Sequence, residues 1–237
     1  MEMKLQNDLL TKAVNNIDLI NKYISSEDRI SVLWLGRQPY NVVWELQKKL
    51  HLQRTQSKIG DTILFVEHDH VYTFGKNADK NYLLETDINN VDVIQIDRGG
   101  EVTYHGPGQL VCYPILNLHD YKLSISWYMR SLEEVIIRYL KQYQINAHRK
   151  QGYTGVWIYD QKICALGVRL SKWVTMHGFA LNIKPDMHYF DRIIPCGIFE
   201  YGVTSLNNFG ILDTMENIID SIMVHFNDVF IGYNSEV

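Results

Sequence analysis

Apolar residues recur at helical spacing in four stretches of the chain, and between those stretches the period shortens to that of strands. Leu10, Ala13, Val14, Ile17, Leu19, Ile20, Tyr23 and Ile24 describe one amphipathic helix, which Ser25-Ser26-Glu27-Asp28 ends. From Pro39 to about Arg54, the positions Val42, Val43, Leu46, Leu50 and Leu52 predict a second helix. Its proline suits a first turn, where a missing N–H costs nothing. Met129, Leu132, Val135, Ile136, Tyr139, Leu140 and Tyr143 form a third stripe, finished before Gln151-Gly152. Met215, Ile218, Ile219, Ile222, Phe226 and Val229 form a fourth, behind a cap at Asp213 or Thr214.

The β-branched, apolar runs at 62–67 and 91–97 predict strands of a substantially buried sheet. Gly155 to Tyr159 and Lys162 to Leu170 predict a hairpin turning at Tyr159-Asp160-Gln161. Pro185, Pro195, Gly197 and Gly202 mark 184–208 as mostly loop. With no internal repeat and no long linker, the pattern describes a single α/β domain with a mixed central sheet flanked by helices.

Composition narrows the function classes. The 237 residues hold 23 Lys and Arg against 27 Asp and Glu, a formal net charge of -4. That excludes a strongly basic nucleic-acid binder, which needs excess cations for phosphates. At 46% hydrophobic and 21% charged the chain is expected to fold. No apolar run reaches the roughly 18 residues of a membrane helix, so no membrane partner is expected. Glu2, Asp8, Asp18, Glu27 and Asp28 interrupt the first thirty residues, which points to a cytoplasmic location. Cys112, Cys164 and Cys196 are odd in number and widely spaced, so each is core filler or a reactive thiol rather than part of a disulfide framework or zinc knuckle.

Three segments carry candidate chemistry. Between two apolar strands, Asp97 to Leu110 contains Gly99, Gly100, Gly106 and Gly108. Such a loop either closes a sheet or lets backbone approach a ligand. It has no Lys-Ser or Lys-Thr pair and no following helix, which disfavours a nucleotide. On the predicted hairpin, alternation puts Lys162, Cys164 and Leu166 on one face. Lys162 is then either an edge lysine whose head reaches water or a buried ammonium that needs a partner. Finally, Cys196 sits between Pro195 and Gly197 in an irregular loop, as a plain loop cysteine or as a fixed, accessible thiol. His68 and His70, at alternate positions, are half a zinc site at most.

In order and spacing, these segments resemble one family. Arg98-Gly99-Gly100-x-x-Thr103-x-His105-Gly106-Pro107-Gly108-Gln109, Lys162-Ile163-x-x-x-Gly167, His177-Gly178-x-Ala180-Leu181-Asn182 and Pro195-Cys196-Gly197 look like the successive motifs of the bacterial lipoyl(octanoyl) transferases. Glu67-His68-x-x-Val71-Tyr72-Thr73-x-Gly75 also fits. The match runs from about Ser31 to about Leu206, so residues 1–30 read as an N-terminal helical extension before a catalytic domain over 31–237. Two positions depart from the family pattern: His70 stands in place of Pro, and Tyr159-Asp160 replaces an Asp-Gly turn that Asp is expected to tolerate.

The resemblance implies the α/β fold of the lipoate and biotin protein ligase catalytic domains. It implies transfer of an octanoyl group from acyl carrier protein to a lysine of lipoyl domains, such as those of 2-oxoacid dehydrogenases and the glycine cleavage H protein. Carried over by motif, Cys196 is the nucleophile and Lys162 its partner. Arg98, Gly99, Gly100, Glu101, Val102, Thr103, Tyr104 and His105, with Ala165, Leu166, Gly167, Gly178, Phe179 and Ala180, line the substrate site. No cofactor and no metal is implied, because the thioester already carries the activation. Oxyanion donors would come from backbone N–H groups around Gly99-Gly100 or at Cys196 and Gly197. His105 either orients the thioester or braces the loop, and His177 is expected to be structural. The rivals are an ATP-dependent ligase of the same fold, which needs no cysteine nucleophile, a cysteine thioesterase, which admits water, and a non-enzymatic acyl-carrier binder.

Overall fold

A computed structural model describes residues 30–84, 91–194 and 201–231. The helix expected over 10–24 and the cysteine at 196 lie outside them. The run from Asp61 to His68 forms β2, whose side chains alternate between two apolar layers. Ile63 and Phe65 join one layer, Leu64 and Val66 the other. Burial on both faces is what a near-continuous apolar strand requires. The sheet is therefore covered on both sides.

On one side lies α1, Tyr40–Thr55, which presents Val43, Leu46 and Leu50. Pro39 stands just outside it as the N-cap residue rather than within the first turn. On the other side lie α2, Ile125–Lys141, and α3, Met215–Phe230. Hydroxyls of Ser124 and Thr214 accept the N–H groups of Trp127 and Asn217, each capping a helix start. The two helices meet through aromatic rings, with Trp127 packed edge-on against Phe230.

The larger sheet runs β1-β2-β6-β10-β9-β8-β7, with β11 added beside β9. Its remaining strands are β1 Ile30–Gln38, β6 Gln109–Ile115, β7 Ala147–Lys150, β8 Tyr153–Ile158, β9 Gln161–Ser171, β10 Val174–Asn182 and β11 Gly202–Val203. It is mixed, as expected: β1 lies parallel to β2 and β11 parallel to β9, and the other pairs are antiparallel. A second sheet joins β4 Asp92–Gln95, β3 Val71–Phe74 and β5 Val102–His105. Among the described residues no helix is long and apolar enough to cross a membrane.

The structure corrects three expectations. The run at 91–97 is not a buried strand of the main sheet. It shortens to β4, paired only with β3 at the edge of the small sheet, and leaves Val93 48% exposed. At the β8–β9 turn the left-handed residue is Tyr159, with φ 51, and Asp160 is not left-handed. Third, β8 and β9 pair through a bulge: Trp157 faces Lys162, but Val156 faces Cys164. The extra residue reverses the alternation. Lys162 and Cys164 therefore point to opposite faces, and only Cys164 joins the core beneath α2 and α3.

Candidate active site

The bulge that parts Lys162 from Cys164 turns the lysine into a cavity. Its walls include Trp157, Thr103, Ala165, Phe190 and the stretch Tyr201 to Val203. Lys162 is only 6% exposed, and its Nζ stands 4.8 Å from the centre of the Trp157 ring. Room for its stem comes from Gly155, whose φ is +129. A Cβ there would lie 2.8 Å from the Cys164 carbonyl oxygen and 3.2 Å from Lys162 Cε. The Gly155 N–H donates to Glu133, a buried carboxylate of α2 that also receives Arg130 at 2.8 Å and Arg149 at 3.1 Å. Gly155 and Glu133 thus fix the strand paired with the lysine's own, a function that apolar spacing alone does not reveal.

Both borders of the Pro195-Cys196-Gly197 segment are anchored. Before it, the Ile194 N–H donates to the Tyr82 carbonyl at 2.8 Å. After it, Gly202 and Val203 pair with Gln161 and Lys162, and the Thr204 N–H donates to the Lys162 carbonyl at 3.0 Å. Cys196 itself lies outside the described residues. Neither of the other two thiols lines this cavity. Cys112 and Cys164 are fully buried in the core, and burial pushes both thiols above the usual cysteine range.

Sharing Thr103 and Ala165 with the lysine cavity is a narrow slot of about 470 Å³, counted to its open mouth. Its walls bring together Arg98, Gly100, Glu101, Val102, Thr103 and His105 with Ala165, Leu166, Gly167, Gly178, Phe179 and Ala180. Two residues expected with them lie elsewhere. Gly99 lines a wider cleft that runs from Gly100 past Ser126 and Met129 of α2 and also reaches Lys162. Tyr104 belongs to the small sheet's own core, where its ring stacks on Tyr189 at 4.9 Å and its hydroxyl bonds to His70 at 2.8 Å. Four slot residues were not among those expected: Tyr40, Val111, Tyr113 and His177.

Behind the slot runs a buried polar chain. His105 Nδ1 bonds to Gln109 Oε1 at 2.7 Å, and Gln109 Nε2 donates to Asn182 Oδ1 at 2.9 Å. Asn182 in turn donates to the Thr204 carbonyl at 3.0 Å, which returns the chain to the segment tied to Lys162. Because Gln109 Oε1 can only accept, His105 Nδ1 carries a proton in this tautomer. Burial and the nearby His68 lower the His105 pKa to about 3, so the ring is neutral at physiological pH. It braces the loop while lining the slot.

His68 uses both ring nitrogens, one on the Gln38 carbonyl at 2.9 Å and one on the Tyr113 hydroxyl at 2.8 Å. Neither is left to ligate zinc with His70. Gly99 is also committed, since its N–H donates to the Val168 carbonyl at 3.1 Å. That removes it from the candidate oxyanion donors.

The slot is mostly apolar, and a buried amine stands at one end between it and the wider cleft. Such a site can hold a hydrocarbon chain and move a proton beside its reactive end. The model of the lipoyl protein ligase A/B catalytic domain matches residues 39–227. An octanoyltransferase of Flavobacterium psychrophilum is 42% identical over 233 residues, 89% of this chain and 98% of the relative. Among solved structures, a bi-partite lipoate protein ligase from Thermoplasma acidophilum is similar in fold, with TM-score 0.66 at 15% identity over 86% of this chain and 84% of that one. A biotin protein ligase from Aquifex aeolicus reaches TM-score 0.50 at 12% identity, covering 86% of this chain and 70% of that one.

Proposed function

This chain belongs to the lipoyl protein ligase A/B catalytic-domain family and is an octanoyltransferase of lipoate biosynthesis, and we propose that it works through an acyl-Cys196 enzyme with Lys162 as proton carrier. The donor is octanoyl-acyl carrier protein. The acceptors are lipoyl domains, among them those of 2-oxoacid dehydrogenases and the glycine cleavage H protein, and the reaction takes place in the cytoplasm. The family match covers residues 39–227, and the catalytic domain is taken to span 31–237.

One observation carries the mechanistic reading. The buried cavity of Lys162 is walled by Phe190 on one side of the Pro195-Cys196-Gly197 segment and by Tyr201 to Val203 on the other, and it shares Thr103 and Ala165 with the slot. That residues on both sides of the segment line the lysine's cavity, next to the slot, supports Cys196 as the nucleophile.

A free cysteine is only a few per cent thiolate near neutral pH. An ammonium beside it favours the charged sulfur, which is the first role assigned to Lys162. Sγ attacks the thioester carbonyl, the new C–S bond replaces the old one, and the departing carrier thiolate takes the proton of Lys162. The lysine is then neutral, next to an uncharged acyl-cysteine. When the acceptor amine attacks that acyl group, its proton passes to Lys162 and Sγ leaves as thiolate, which restores the starting pair. No phosphate activation enters, because each step exchanges one acyl bond for another.

The relatives' activity and the cysteine borders favour transfer over ligation, although the fold is shared with ligases. Cys196→Ser is expected to lower octanoyl transfer to a lipoyl domain by at least about 100-fold, since a hydroxyl without a strong base is a poor nucleophile. Cys164→Ser should retain transfer. The reverse pattern, with Cys164 essential and Cys196 dispensable, would move the nucleophile to the hairpin.

A further inference from the structure

The slot runs along the paired strands β9 and β10, and their register measures it. Ala165 pairs with Ala180 beside the lysine cavity, Gly167 with Gly178 farther along, and Val168 with His177 beyond that. From Ala180 to His177 is three residues, or about 10 Å at a strand rise of roughly 3.3 Å per residue. An extended eight-carbon chain spans about 9 Å, from C–C bonds of about 1.5 Å and near-tetrahedral angles.

Between these limits Leu166 and Phe179 line the slot, while the paired positions Gly167 and Gly178 add no side chain. Gly167 and Gly178 face each other across the strands, and a Cβ on Gly178 would fall 2.2 Å from the Cys112 carbonyl oxygen. At the far end His177 and Tyr113 stand edge-on, with ring centres 6.3 Å apart. Tyr40 hydrogen-bonds to Tyr113 from the start of α1. None of these three rings borders the lysine cavity or the wider cleft.

This end wall is held rigidly. His177 Nε2 bonds to Asp97 Oδ1 at 2.8 Å, and Arg169 grips the other carboxylate oxygen at 2.8 Å. The His177 N–H donates to Gln47 Oε1 of α1 at 3.0 Å, and the residue has a left-handed φ of 59 in mid-strand. A non-glycine residue in that region is strained and persists only where its surroundings over-determine it.

We propose that the wall of Tyr40, Tyr113 and His177 is the gauge that selects an eight-carbon acyl chain, by closing the slot one chain length from the lysine cavity. The proposal rests on the slot being the acyl site of the transfer described above. A chain longer by two carbons must displace a wall tied at three points or leave its carbonyl short of the lysine cavity. One methylene of misfit in such a pocket is worth roughly 10- to 200-fold in discrimination.

The experiment compares kcat/KM for octanoyl, decanoyl and dodecanoyl carrier thioesters, with transfer to a lipoyl domain read by mass. The wild type should prefer octanoyl over decanoyl by at least about tenfold. His177→Gly removes the ring and accepts the left-handed backbone, and it should narrow or reverse that ratio by about tenfold or more, as should Tyr40→Leu, which opens the wall from the helix. Tyr40→Leu decides the matter if His177→Gly does not fold. A uniform loss at all three lengths, or an unchanged ratio in folded variants, would overturn the gauge. Wild-type protein that transfers no octanoyl group would instead overturn the function on which the gauge rests.

Discussion

At Lys162 the two roles assigned to one amine can be separated chemically. Arginine keeps the positive charge but holds its proton at any relevant pH, and methionine keeps neither. In Lys162→Arg, Cys196 should still be alkylated with a wild-type pH profile and should still take up an octanoyl group, while transfer from the acyl-enzyme to an amine falls by about 100-fold or more. Lys162→Met should lose both, with the alkylation profile moved toward that of an ordinary thiol. Rapid alkylation and single-turnover transfer time the two halves separately. A methionine variant with wild-type behaviour in both would make Lys162 a bystander. Of the residues here, Lys162 and most of the slot were legible in the sequence, through the motifs at 98–109, 162–167 and 177–182. Tyr40, Tyr113 and Glu133 were not, because each reaches the site from a different element through packing that no local spacing encodes.

Among the elements, the three helices of the described chain follow the apolar stripes closely, since each needs one continuous face to bury. Strands β1 and β7 escaped that reading. Arg37 and Gln38 break the apolar pattern of β1, and β7 is only Ala147–Lys150, three of its four residues polar. The bulge at 162–164 was hidden for a different reason: a one-residue insertion in the pairing changes which face a side chain takes without changing the composition of either strand. Gly155 is where that element is most exposed to test. Gly155→Ala places a methyl against the Cys164 carbonyl and the Lys162 stem, at a φ of +129 that alanine avoids. It should destabilise the protein by about 1–3 kcal/mol. In a domain of this size that is a melting temperature several degrees lower, at roughly 2–4 °C per kcal/mol. Octanoyl transfer should fall alongside. An unchanged melting temperature and rate would mean that β8 does not constrain the lysine as described.

Across the whole molecule, one sheet carries the lysine, the paired glycines and half of the slot, and the small sheet lays the 98–105 loop and strand over it as the other half. The helices on either side take no direct part beyond Tyr40 at the wall and the border of the wider cleft. Fold alone does not separate a transferase from the ligases that share it, and under the proposed mechanism Cys196 is the feature that does. The central claim is therefore covalent. Protein incubated with octanoyl-acyl carrier protein, freed of carrier and analysed intact, should carry one octanoyl group, mapped to Cys196 by peptide mass. Given a lipoyl domain with neither ATP nor carrier present, that isolated acyl-enzyme should lose its octanoyl group as the domain gains it on one lysine. An enzyme that never carries the group, or that modifies the domain only when ATP and free octanoate are supplied, would contradict the account.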